Sequence, residues 1–159
     1  MNFINRALNV MTQPKVELTR AAAEPATTGS LIGGYAALLA ALPALGRLLS
    51  DIITSGSYLG TYIGKILGLS LLLYVVRDLG VAVLMGFIAA ALAPNFGGFR
   101  NDLGAMKLAL YAATPIWITS FIGGLLGFAV PELGAILVVI GFGYAGYLLY
   151  VGCRRSRSR

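Results

Sequence analysis

Four apolar stretches, separated by short polar breaks, set the pattern of the chain. Residues 31–49 are rich in Leu and Ala and hold Pro43. Residues 66–93 run apolar for 28 residues, interrupted only by Arg77 and Asp78. Residues 103–130 are equally long, with Lys107 near the start and Pro115 inside, and residues 133–151 are uninterrupted. A helix needs about 20 apolar residues to cross a hydrocarbon core about 30 Å thick, so each stretch predicts a transmembrane span. The two longest would measure about 42 Å at about 1.5 Å per residue, which predicts tilt, kinks or overhang into the headgroups. The breaks agree with this division. Pro94-Asn95-Phe96-Gly97-Gly98 is turn chemistry closing the second span. Pro131-Glu132 is so short that the last two spans must form a tight antiparallel hairpin. Residues 50–65 are semi-polar, carry Tyr58 and Tyr62, and read as a segment near the interface.

Composition points to lipid as the solvent. The chain has 159 residues, of which 58% are apolar and 11% charged. Soluble domains hold roughly 45–50% apolar residues and about 25% charged. A mean hydropathy of +0.83 agrees. The expected fold is an all-α membrane protein, a polytopic transmembrane helix bundle of about four spans. Residues 1–30 read as a cytoplasmic N-terminal segment, polar and mixed, without a secretory signal. Residues 31–152 form the transmembrane helical domain, and residues 153–159 a basic C-terminal stub.

The inventory for catalysis is thin. Cys153 is the lone cysteine and histidine is absent, which removes the commonest metal ligand and general base. The acidic residues Glu17, Glu24, Asp51, Asp78, Asp102 and Glu132 are scattered, with no two at i, i+3 or i+4. A carboxylate-bridged metal or an acid/base pair has little to work with. No cofactor, no metal site and no enzymatic activity are expected.

Basic residues decide the orientation. Arg6, Lys15, Arg20, Arg100, Lys107, Arg154, Arg155, Arg157 and Arg159 fall on one side, Arg47 and Lys65 on the other, with Arg77 between. Nine against two is a positive-inside pattern that places both termini in the cytoplasm. Splitting the second stretch at Arg77-Asp78 into two spans gives eight against four and leaves no room for a turn. The net charge of +6 then reads as topogenic charge attracted to anionic headgroups, not as a nucleic-acid surface.

A few features stand out from this frame. Arg77 and Asp78 lie inside an apolar stretch, as a gating, ion-pathway or docking pair, or as a pair satisfied at a packing face or reaching for the headgroups. Gly56, Gly60, Gly64 and Gly68 recur every fourth residue and would bare a helix face for close packing, as would Gly29/Gly33 and Gly123/Gly127. Pro43 and Pro115 free the carbonyls of Leu39 and Tyr111, and Thr114, Thr119 and Ser120 stand near enough to Pro115 to help satisfy the backbone. Arg154, Arg155, Arg157 and Arg159 follow the last span directly and should contact an anionic leaflet. Cys153, beside them, is an acylation candidate in some cells and otherwise a free thiol.

The run Ala93-Pro94-Asn95-Phe96-Gly97-Gly98, then Ala105-Met106-Lys107-Leu108, Tyr111-Ala112-Ala113-Thr114-Pro115-Ile116-Trp117 and Tyr147-Leu148-Leu149-Tyr150-Val151-Gly152 resembles the bacterial branch of the Yip family, the Ypt/Rab-interacting proteins. Glu24-Pro25 and Ala41-Leu42-Pro43 extend the likeness over most of residues 24–152. The resemblance marks Phe96, Gly97, Gly98, Lys107, Tyr111, Thr114, Pro115 and Trp117 as signature positions. It implies a polytopic membrane protein with a cytoplasmic N-terminus, whose eukaryotic relatives bind Rab-type GTPases in vesicle traffic. Two departures accompany it: the family's usual fifth span is missing, and Ala112-Ala113 replaces the serine beside the Thr-Pro. The expected role is a non-enzymatic scaffold or accessory subunit in a bacterial cytoplasmic (inner) membrane, partnered by other membrane subunits. The competing expectation is a small channel or transporter built around Arg77-Asp78.

Overall fold

The computed structural model describes residues 3–55, 71–96, 101–127 and 129–156. Among the described residues there is no strand, and four helices are long and apolar enough to cross a membrane. They cover Thr28–Ser50, Leu71–Asn95, Asp102–Leu126 and Pro131–Cys153, and are called here the first to fourth spans. The all-α bundle of about four spans expected from hydropathy is therefore what the chain forms. Two short helices precede it, α1 (Phe3–Thr12) and α2 (Pro14–Ala23). Hydropathy gave no sign of these, and residues 1–30 read simply as a polar segment.

Local chemistry starts each element. Pro14 opens α2 and Pro131 opens the fourth helix, positions where the missing N–H has no helical partner to lose. Thr27 and Ser30 form a reciprocal capping box at the head of the first span, each side chain accepting from the other's backbone N–H at 3.2 Å. The Asn101 side chain accepts from the Gly104 N–H at 2.8 Å and so caps the third span.

The first span is not a uniform helix. After one α turn, Ile32–Ala36 form a π turn that contains Gly33 and Gly34. Ala37–Ala40 then return to α geometry, and a new segment, Leu42–Ser55, starts just before Pro43. Bonds from the Ala41 N–H to the Ala37 oxygen (3.2 Å) and from the Leu45 N–H to the Ala41 oxygen (3.1 Å) carry the ladder past the proline.

The third span is the core of the bundle and packs against all three others. Half of its apolar window is buried, against 11% for the second span and 17% for the fourth, so those two are outer walls. Bare backbone lets the helices approach. A methyl group on Gly134 would sit 2.7 Å from the Gly123 carbonyl oxygen, and one on Gly46 would sit 2.6 Å from that of Phe121. The first contact closes the hairpin of the last two spans, and the second presses the first span onto the third. Gly123 thus serves helix packing as its spacing with Gly127 suggested, whereas Gly29 and Gly33 face open space.

Because the Gly134 contact is backbone against backbone, Gly134→Ala forces the two helices apart. The expected cost is about 1–3 kcal/mol, seen as a lower Tm in detergent followed by Trp117 fluorescence. Gly143→Ala is the matched control, since a methyl group there meets nothing within 4 Å, and its Tm should not fall.

Candidate functional site

Lys107 organises a polar cluster where α1 and α2 meet the bundle. It is 7% exposed, and its ammonium donates to the carbonyl oxygens of Ala21 at 2.8 Å and Glu24 at 2.7 Å. These carbonyls end α2, whose C-cap is Glu24. A helix C-terminus has unpaired carbonyls and partial negative charge, so a cation there is well placed on both counts.

The rest of the cluster ties α1 to α2. Glu17 is 1% exposed and accepts from Arg6 Nε at 3.3 Å and from Asn9 Nδ2 at 3.4 Å, while Arg20 stands 3.5 Å away. Arg6 also pairs with the Glu24 carboxylate. Burial disfavours the Arg6 charge, but the Glu24 bond and the charges of Tyr111, Glu24 and Glu17 outweigh it, raising its pKa above the ordinary value. The guanidinium stays ionised.

From Arg6 the cluster runs into the spans. The guanidinium lies 5.9 Å from the centre of the Tyr111 ring, a cation–π distance. Tyr111 packs on Tyr35 of the first span at 4.9 Å, and the Tyr35 hydroxyl shares a 2.9 Å hydrogen bond with Thr114. On the other side, the Tyr144 hydroxyl of the fourth span donates to the Met11 carbonyl oxygen at 2.7 Å. The first, third and fourth spans therefore all touch this junction.

Several signature positions meet here. Lys107, Tyr111, Thr114, Pro115 and Trp117 are all buried, and their spacing keeps the first three on one side of the third span. Thr119 donates to the carbonyls of Pro115 (2.8 Å) and Ile116 (3.2 Å), and Thr114 serves Tyr35. Neither is directed at Tyr111, the carbonyl that Pro115 leaves free.

Glu17 and Glu24 are the residues that sequence reasoning passed over. They read as scattered acids because no second acid stands one turn away. Seven residues is nevertheless two helical turns, and a shared face was the available signal.

Arg77 and Asp78 lie elsewhere. They bond to each other, Arg77 Nε to Asp78 Oδ1 at 2.8 Å, and the Arg77 side chain is more than half exposed. Arg77 lies in the second helix, whose described part is Leu71–Leu92. Its guanidinium and that of Arg47 lie 5.1 and 5.3 Å from the centre of one ring, Tyr74. These residues edge a lateral groove of about 1300 Å³. The second and fourth spans wall the groove, the third floors it with Ala109, Ala112, Ala113, Ser120 and Gly124, and residues 43–50 of the first help close one end.

Other expected positions are not brought to either place. Gly56, Gly60, Gly64, Gly68, Gly97, Gly98, Arg157 and Arg159 lie outside the described residues. Phe96 ends a short 3-10 turn after the second span, and Arg154 and Arg155 extend the last helix. Among the described residues no three acidic, Cys or His side chains come together.

The family model for the Yip1 domain matches residues 8–158. No curated protein and no solved structure matches the chain. The matched region takes in the second half of α1, all of α2 and all four spans, so the groove and, apart from Arg6, the polar junction fall inside it.

Lys107→Met removes the donor from two buried carbonyls and frees the end of α2. Hydrogen bonds of this charged kind contribute about 1.5–3 kcal/mol. Amide exchange should quicken across residues 3–23 while the third and fourth spans keep their protection. Equal protection in the variant would show that the short helices are held without Lys107.

Proposed function

The chain belongs to the Yip1 domain family, and from that premise we propose that it is a non-enzymatic scaffold or accessory subunit of a larger membrane assembly. The lateral groove is the observation that carries this reading. In lipid, helices associate through close packing of small side chains and not through the hydrophobic effect. The groove presents Ala and Gly along the third span between two walls that are otherwise largely unburied. That arrangement suits a partner's transmembrane helix. The setting proposed is a bacterial cytoplasmic membrane with both termini cytoplasmic, on the strength of the arginine and lysine distribution.

A channel or transporter would need a continuous polar path past Arg77. The charged and polar groups of the groove, Arg47, Ser50, Tyr74, Arg77 and Asp78, gather towards one end, and beyond them Ser120 is flanked by apolar side chains. This distribution favours docking over conduction.

Extraction into nanodiscs followed by native mass spectrometry tests the proposal directly. A stoichiometric complex with other membrane subunits is expected. Recovery of the chain alone or as a small homo-oligomer would overturn the reading, and solute flux with Arg77 and Asp78 neutralised would then be measured. Gly146 and Gly143 sharpen the test, because a side chain fits at both and only Gly146 lines the groove. Gly146→Leu should lower recovery of the complex at least severalfold with Tm unchanged, and Gly143→Leu should leave recovery intact.

A further inference from the structure

α1 and α2 are docked beside the spans at a level where a bilayer surrounds them. Tyr111 and Tyr144 lie nine residues in from the ends of the third and fourth spans, at Asp102 and Cys153. At about 1.5 Å per residue that is about 13 Å along each helix. The third span, at 25 residues, would measure about 37 Å, so it exceeds a hydrocarbon core of about 30 Å by only a few ångströms at each end. Arg6 meets the Tyr111 ring and Met11 accepts from Tyr144, so α1 sits below the ends of the spans. Glu24 returns to the level of Lys107, nearer the end of the third span, before the first span begins.

The outer face of this pair fits such a place. Ile4, Leu8 and Val16 are 61%, 53% and 56% exposed, apolar side chains that lipid would solvate better than water. Two hydroxyls are folded back on their own helices, Thr12 onto the Leu8 carbonyl at 2.9 Å and Thr19 onto the Lys15 carbonyl at 2.7 Å. Carbonyls at the ends of both helices find donors on the spans, Met11 from Tyr144 and Ala21 and Glu24 from Lys107, as lipid contact favours. Arg6 pairs there with the buried Glu17 and with the partly exposed Glu24. Lys15 and Arg20 have stems long enough to carry their charges back to the phosphate level.

We propose that α1 and α2 form a re-entrant hairpin seated in one phospholipid leaflet, with Ile4, Leu8 and Val16 against the acyl chains near the headgroup boundary. The hairpin enters and leaves from the side that carries both chain termini. The bilayer is thus a binding partner for the N-terminal helices as well as for the spans.

Site-directed spin labelling of the full chain in phospholipid nanodiscs tests this. Cys153 is exposed and is first replaced by Ser. Nitroxides are then placed singly by Leu8→Cys and Val16→Cys, with Asn101→Cys as the aqueous reference. Leu8 and Val16 are exposed, so labels there leave the docking contacts in place. The expected result is collision with dissolved oxygen severalfold above that with a water-soluble nickel chelate at residues 8 and 16, and the reverse at 101. Nickel collision at 8 and 16 equal to that at 101 would place the hairpin in water and overturn the proposal. Adding Lys107→Met should shift the label at residue 16 towards nickel, and no shift would separate the hairpin's lipid contact from its anchor on the third span.

Discussion

A charge in a lipid-bounded bundle has to find its partners inside the protein, and Lys107 meets that demand by closing the end of α2. Neither group would be tolerable alone. The ammonium would sit 7% exposed without an acceptor, and the last carbonyls of α2 would be desolvated without a donor. Joined at 2.8 and 2.7 Å, they fix where α2 stops and which side of it faces the third span. Glu17 is thereby turned inwards, where Arg6 and Asn9 satisfy it. Arg6 in turn reaches Tyr111, and through Tyr35 and Thr114 the first span is held in register with the third. A contact between residues 86 positions apart therefore orders much of the cytoplasm-facing half proposed for this protein.

The other half of the bundle relies on backbone instead of polar side chains. Gly46, Gly123 and Gly134 allow helices to touch carbonyl to Cα, and no side chain is needed to specify the match. The third span belongs to both halves and is buried accordingly. The second and fourth spans are committed to it along one side only. The lateral groove is a direct result: two walls that share a floor leave a slot between them. The scaffold role proposed for this member of the Yip1 domain family would place its functional weight on that slot and on the surfaces around it.

Spans were legible because their signal is local and redundant: about 20 apolar residues in a row read as a span whatever their neighbours. The family was legible too, from a likeness that includes Lys107, Tyr111, Thr114, Pro115 and Trp117 in a single short run. The polar junction was not. Arg6, Glu17 and Glu24 look like ordinary solvated charges until the third span is brought beside them, and nothing local announces that pairing. Lys107 read as a topogenic charge for the same reason. Arg77 and Asp78 drew attention because they interrupt an apolar run, and hydropathy has no way to show that they bond to each other beside the Tyr74 ring. The π turn was also hidden, because a glycine pair in an apolar run is as compatible with an α turn.

That π turn has a bearing on how the first span is able to change length. It holds one residue more than an α turn would, within Ile32–Ala36, a turn that follows the capping box at Thr27 and includes the buried Tyr35. Loss of one residue there would return the segment to an α ladder with no broken hydrogen bond. Such a turn takes up the added residue locally, so the helix before and after it keeps its angular setting. The first span thereby holds one residue more between the capping box at Thr27 and the buried side chain of Leu39 without turning either away from its partners.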